Sequence, residues 1–359
     1  MKVYSHPSTS SNLKHALNSA LPYSIALAYR TQHQNQTPDT HILATFSPSS
    51  GPENATSEIP QCWAAAYFDR SMRPETELWI FATGEVPGHP SSSSSSSSSS
   101  QDSDFCPRCR EAVMSLLSHM RTLPVPPMHP SNLKSLEAAK QHSKEFPETG
   151  PDVRYPPSSG SYLRHLLLPS VVTLGAVHHK IAKILLDTGL ICAEFPGLEA
   201  PVNKFLFKIS DLPETRPLPD GLRWGEMRPK DIAIVQARTH IPRATHTLLS
   251  LKSVAVFEIS TDQPVAWAFS GLDGSLTTLH VETEWRGRGI AKAVAAKVFR
   301  EYAGSFTVDK EGNSWAHADV YIGNVQSEAV CRSLGGVALW EIFWVRVDVS
   351  RALETYTKD

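Results

Sequence analysis

The residues best equipped for chemistry form one short run, Arg286-Gly287-Arg288-Gly289-Ile290-Ala291, set between a strand-like and a helix-like segment. At a helix start several backbone N–H groups lack intrahelical partners, and the macrodipole adds about half a positive charge. Gly287 and Gly289 let a bulky diphosphate approach the main chain without Cβ clashes, and Arg286 and Arg288 add positive charge around it. The run therefore predicts an anion-binding turn. A dinucleotide fingerprint would need a third glycine and a βαβ unit, and a P-loop would need Gly-Lys-Ser/Thr. Neither is present.

The elements around the turn are short and alternate in kind. Ser253 to Ile259, Val265 to Ser270 and Leu276 to Val281 read as strands joined by tight turns at Thr261–Pro264 and Leu272–Gly274, an antiparallel meander. A helix is predicted from Gly289 to Ala303, with Ile290, Val294 and Val298 on one face and Gly304 as its stop. Asp231 to Thr239 reads as a helix before the meander. After the turn come a strand from Trp315 to Ile322, a helix from Ser327 to Leu334, and a last strand pair within Leu339 to Val349.

The first half predicts a separate small α/β unit. His41 to Phe46, Cys62 to Phe68 and Glu77 to Ala82 read as strands, and Arg108 to Arg121 and Asn132 to Glu145 as helices. Ser91 to Ser100 are ten consecutive serines, which offer no apolar surface to offset chain entropy and predict a disordered loop over 88–104. Leu163 to Thr188 reads as a helix interrupted near Pro169, and Lys204 to Ile209 as a strand. The expected organisation is an N-terminal α/β domain over 1–160, a helical connection and linker over 161–215, and a C-terminal domain over 216–350.

Leu279 to Ala291 closely resembles the strand, turn and helix start of the GNAT superfamily, the acyl-CoA N-acyltransferases. That family's turn is Arg/Gln-x-x-Gly-x-Gly/Ala, and Arg286, Gly289 and Ala291 occupy its fixed positions. A second family element, Asn-x-x-Ser leading into a helix that ends in Leu-Gly, is matched by Asn324, Ser327 and Leu334-Gly335. The order of the halves, Phe205 to Leu212, Pro264 to Ala268 and Trp340 to Trp344 is similar to the glycine N-acyltransferase branch, whose N-terminal half is a degenerate copy of the same fold. The resemblance implies an α+β fold with a mixed, mostly antiparallel sheet flanked by helices, and a degenerate GNAT-like N-terminal half.

It also implies roles. The backbone of Leu279 and Val281 would bind the thioester carbonyl and pantetheine amides. The main chain of Arg286, Gly287, Arg288, Gly289, Ile290 and Ala291 would hold the pyrophosphate, and Asn324 and Ser327 would contact the pantetheine arm or brace its loop. An amine would attack the thioester directly, backbone donors would stabilise the oxyanion, and CoA thiolate would leave. Two positions depart from the pattern: the branch's Glu base falls on Ser275, and the thiolate-protonating Tyr falls on Cys331. Glu282, Asp319 and Cys331 are taken as the catalytic candidates, with Asp273, His280, His317 and Glu258 as further possible bases.

The expected activity is transfer of an acetyl or other short acyl group from CoA to a small-molecule amine or amino acid. The alternatives are a catalytically silent CoA-binding sensor and a scaffold whose first half recruits a partner. A net charge of −2 and a pI near 6.7 give no basic field for nucleic acid. Met1 to Ser24 lacks the pattern of a secretory signal, the apolar stretch Leu166 to Leu190 is broken by charges, and five irregularly spaced cysteines fit a reducing compartment. The expectation is a cytoplasmic protein with no membrane partner. Cys106-Pro107-Arg108-Cys109 is a single CxxC without a second pair at finger spacing, so no metal is predicted.

Overall fold

A computed structural model describes residues 1–48, 59–89, 105–150, 152–155, 160–195, 197–239, 243–304 and 306–352. The serine tract lies outside them. In chain order the elements are β1 (Tyr4–Ser5), α1 (Ser11–Ser19), α2 (Ile25–Gln32), β2 (His41–Ala44), β3 (Ala64–Phe68), β4 (Leu78–Ala82), α3 (Pro107–Arg121), α4 (Leu133–Glu145), β5 (Val171–His178), α5 (His179–Asp187) and β6 (Val202–Lys208). They continue as β7 (Leu222–Gly225), α6 (Ile232–Arg238), α7 (Thr245–Ser250), β8 (Ser253–Glu258), β9 (Pro264–Ser270), β10 (Ser275–Val281), α8 (Ile290–Val298), β11 (Trp315–Tyr321), α9 (Val325–Ser333) and β12 (Val337–Asp348).

These elements form two compact units that interleave along the chain. The first comprises Met1–Leu27, Gln36–Ala200 and Ile342–Asp359, and the second Ala28–Asn35 and Pro201–Glu341. The change of unit falls at residue 200, not at 160 or 215, and two further pieces cross over. Most of α2 packs with the second unit, and the end of β12 pairs with β5 in the first. Packing of segments far apart in sequence sets these boundaries, and composition along the chain does not report it.

In the first unit the strands run β1-β2-β3-β4-β5, closed by the last residues of β12. Neighbours pair antiparallel except β4 and β5, which meet in parallel at Leu78↔Leu174. Helix α3 presents Cys109, Ala112, Val113, Leu116, Leu117 and Met120 to the core, the face its 3.6-residue period predicts.

The expected helix over Leu163 to Thr188 is instead a short 3-10 segment (Ser161–Leu167), then strand β5, then helix α5. Seven of the eight β5 residues are buried, and a strand buried on both faces reads as a continuous apolar run that periodicity cannot tell from a helix. The helix starts only where the His178 ring accepts a hydrogen bond from the Lys180 N–H at 3.1 Å.

In the second unit the order is β6-β11-β10-β9-β8-β7. The meander β7 to β10 is antiparallel, β10 and β11 run parallel, and β6 returns antiparallel to β11. Helix α8 packs its Ile290, Val294 and Val298 with β8, β9 and β10 residues Val254, Ala266 and Val281. Ile232, Val235 and Leu248 of α6 and α7 pack with Phe257, Trp267 and Phe269. The predicted final strand pair is one continuous strand, β12. Among the described residues no helix is long and apolar enough to cross a membrane.

Candidate active site

Strands β10 and β11 pair at only two rungs, Ser275↔His317 and Leu276↔Ala318. From Thr277 onward β10 keeps its partner on the β9 side only. All seven β9 residues are buried, yet Ser275 to His280 of the adjacent β10 are half-buried. A strand with neighbours on both sides is exposed in this way only where one neighbour has diverged, so a slot opens alongside β10. Its main-chain donors and acceptors on that side have no strand partner among the described residues.

A bulge re-aims the side chains along this slot. Between Thr277 and His280 the strand takes three steps while β9 takes two, and the extra residue accompanies Thr278 at φ +52°. Leu276 and Leu279, three apart, consequently share the α8 face, where both touch the cores packed under that helix. His280 falls on the opposite face, stacked on Trp267 at a centroid distance of 4.8 Å.

The predicted turn follows directly. Gly287 and Gly289 sit at φ +76° and +80°, a region costly for residues with a Cβ, and an added Cβ at either would meet nothing within 4 Å. The glycines are thus needed for backbone conformation and leave open space in front of it. Gly289 caps α8 without any side-chain hydrogen bond, and the first ladder bond runs from Ala293 N–H to Gly289 O at 3.1 Å. The N–H groups opening the helix therefore have no intrahelical acceptor. The arginines are less available than their charge alone suggests. Arg286 Nε donates to Val281 O at 2.9 Å, tying the turn to the end of β10, and Arg288 lies over the Trp285 ring.

The catalytic candidates are not gathered at one point. Asp319 forms a 2.6 Å ion pair with Lys204 and lies 3.6 Å from His317 Nδ1. Burial by itself would raise its pKa, but the Lys204 ammonium outweighs it and the carboxyl is held at about 2. Such a group is a poor base at neutral pH. His317 accepts from Lys204 Nζ at 3.0 Å through Nδ1, which leaves Nε2–H to donate to Asp273 O at 2.9 Å. Lys204 was not among the expected residues. Its only signal is a cation in the aromatic strand run Phe205 to Phe207, where alternation turns it inward.

Cys331 is 3% exposed and packs with Phe205, Phe299 and Leu334. Burial, and then the nearby Asp319 and Glu328 carboxylates, push its thiol up to about 12, so it is a weak proton donor to a departing thiolate. Ser275 donates its hydroxyl to Asp273 Oδ1 at 2.7 Å, and both sit where the slot begins.

Glu282, at the far end of β10, accepts from Arg238 Nε at 3.0 Å and lies 3.5 Å from His280 Nε2. Together with Arg288 and Glu258 it lines an open depression of about 480 Å³. Burial lowers the His280 pKa although Glu282 acts to raise it, so the imidazole is neutral at neutral pH. On the same sheet face Arg243 donates to Thr277 Oγ1 at 3.2 Å, and its buried Nε has no partner among the described residues.

Asn324 caps α9, its side chain accepting from Ser327 N–H at 3.2 Å. The pair therefore braces the loop after β11. The N-terminal segment also reaches this unit: Tyr29 of α2 lies 3.2 Å from Ser270 Oγ and packs edge-on against Phe306.

Residues 1–205 match the family described as the acyl-CoA N-acyltransferase verG N-terminal domain. A Drosophila protein solved by X-ray crystallography is similar along almost the whole path, at 11% identity over 96% of this chain and 98% of its own, with a TM-score of 0.55. A GCN5-related N-acetyltransferase from Sphaerobacter thermophilus aligns at 12% identity over 97% and 96%, TM-score 0.45. A tandem GNAT protein from the clavulanic acid biosynthesis pathway aligns at 9% over 97% and 98%, TM-score 0.42. No curated protein matches the sequence. The likeness to the Drosophila protein is one of fold. With residues 1–205 of 359 matched, the chain belongs to the verG-type acyl-CoA N-acyltransferase family and is a GNAT-superfamily acyltransferase.

Proposed function

We propose that the second unit transfers an acetyl or other short acyl group from CoA to the amine of a small carboxylate-bearing acceptor such as an amino acid. The observation that carries this reading is the run of β10 backbone left unpaired by β11, leading straight into a helix whose first N–H groups are uncapped. The pyrophosphate fits the turn from Arg286 to Ala291, and the thioester and pantetheine follow the main chain at Leu279 and Val281.

Attack by the amine turns the thioester carbonyl into an oxyanion, which β10 N–H groups stabilise. The amine gives its proton to His280, the neutral imidazole on the unpaired stretch, while Glu282 stabilises the imidazolium that forms. CoA leaves as thiolate and takes a proton from solvent. Asp319 is fixed in its ion pair and Cys331 in the core, so neither serves in this scheme. Arg243, with an unpartnered Nε on the same face as His280, supports an acceptor that carries a carboxylate.

Free-thiol release from acetyl-CoA across a panel of amines and amino acids tests the reaction, and calorimetry with CoA tests the donor site. Absence of heat at millimolar CoA would sink the whole reading. Binding without turnover would select the silent sensor instead, the reading that Ser275 in the position of the branch's Glu favours.

A further inference from the structure

In the first unit β4 pairs antiparallel with β3 and parallel with β5, and the chain then passes into α3. In the second unit β10 stands in the same relation to β9, β11 and α8. The junction that carries the glycine turn in the second unit is built differently in the first. There Cys62, His89, Cys106 and Cys109 converge, with all four ligand atoms within 4.8 Å of one another. We infer that these four residues bind one zinc ion as a closed structural site.

Three of the six edges between the ligand atoms are close to those of a metal tetrahedron, and all six lie within 4.8 Å. Zinc bonded to thiolate and imidazole at ordinary lengths has S···S edges of about 3.8 Å and S···N edges of about 3.5 Å. Cys62 and Cys106 Sγ are 3.7 Å apart, and His89 Nε2 lies 3.4 Å from Cys62 Sγ and 3.2 Å from Cys109 Sγ. A disulfide would bring two sulfurs to about 2.05 Å. Three thiolates and one imidazole are the soft and borderline donors zinc selects, and four protein ligands complete its shell, so the site has no position for a catalytic water.

The surroundings suit thiolates. Cys106 is the N-cap residue of α3, where the positive end of the helix dipole favours a thiolate. The Thr83 hydroxyl lies 3.3 Å from Cys109 Sγ and can donate to it, orienting a ligand from outside the coordination shell. The ligands come from three separate segments: the stretch leading into β3, the loop after β4, and the start of α3. One ion would tie these together across the interval that holds the ten serines, residues without apolar side chains. Sequence spacing hides the site because Cys62 is 44 residues from Cys106 and no second CxxC exists.

The test uses the full chain without a metal-binding tag, expressed with added zinc. Elemental analysis is expected to find about one zinc per chain after desalting, released when a mercurial reagent titrates the thiols. Co²⁺ in its place should give the intense visible bands of tetrahedral sulfur ligation. Cys62→Ser should lower zinc affinity at least tenfold. Thr83→Val, which removes no ligand, should lower it about tenfold. His89→Cys keeps four ligands and should retain metal while strengthening the sulfur-to-cobalt charge-transfer band, so it reports even if the serine variant fails to fold. Wild-type chain with less than a tenth of an equivalent of zinc and no tetrahedral cobalt spectrum would overturn the inference. So would zinc content that follows Cys192→Ser or Cys331→Ser and ignores Cys62→Ser.

Discussion

Lys204 and Asp319 stand directly across the β6–β11 ladder, their charged atoms 2.6 Å apart, both side chains at least nine-tenths buried. Removing one partner of a buried pair leaves an uncompensated charge, at a cost of about 3–5 kcal/mol. Lys204→Met is therefore expected to destabilise the protein by that order in urea unfolding at neutral pH. The Asp319 carboxyl is held at about 2, below its usual 3.8, so its contribution is fully present above the unfolded value and is lost as pH falls from about 4 toward 2. The gap between wild type and Lys204→Met should narrow over that same window. A gap constant down to pH 2 would show that the pair does not act as described.

Gly289 should tolerate no side chain, and an acid least of all. Its φ of +80° strains any Cβ, and a carboxylate there would face the diphosphate proposed to bind this turn. Gly289→Glu is expected to weaken CoA binding by more than tenfold, about 1.4 kcal/mol or more, measured by calorimetry. Unchanged affinity would remove the diphosphate from this turn.

His280 should control the acid side of the rate profile. As a base it acts only when neutral, and burial lowers its pKa, so kcat/KM should stay level through neutral pH and fall as the medium becomes acidic. His280→Gln is expected to reduce kcat by roughly 10²–10⁴-fold with little change in KM for acyl-CoA. Glu282 raises the His280 pKa, so Glu282→Gln should move the acidic limb to lower pH. A profile that Glu282→Gln leaves in place would separate the two residues.

Cutting the chain between the expected domains should not yield two folded halves. A fragment ending at residue 215 lacks Ile342–Ala352, which supplies Val345, Val347 and Val349 to the first core. A fragment starting at residue 216 lacks β6 and the Tyr29 contact with Phe306. Neither is expected to show a cooperative melting transition in calorimetry, whereas the intact chain should. Cooperative unfolding of either fragment alone would contradict the interleaved assignment.

The conformation of the turn from Arg286 to Ala291 was readable because its causes are local. Two glycines at positive φ and a helix start lie within a few residues, and short-range sterics dictate what they do. The meander and α8 were readable for a similar reason, since period-2 and period-3.6 burial repeats within one element. Strand β5 was not, because a strand buried on both faces loses its alternation.

What the chain could not announce is whatever depends on which distant segment arrives. Cys331 occupies the position of the family's tyrosine, but packing against Phe205 and Leu334 decides that its thiol is core. Asp319 looked like a base until Lys204, 115 positions earlier, neutralised it. The slot beside β10, the bulge that sends His280 to one face and Leu279 to the other, and the meeting of Cys62 with His89 arise only in three dimensions. Side-chain type and local spacing fix what a residue is able to do. The burial and the charges that tertiary packing brings to it decide what it does.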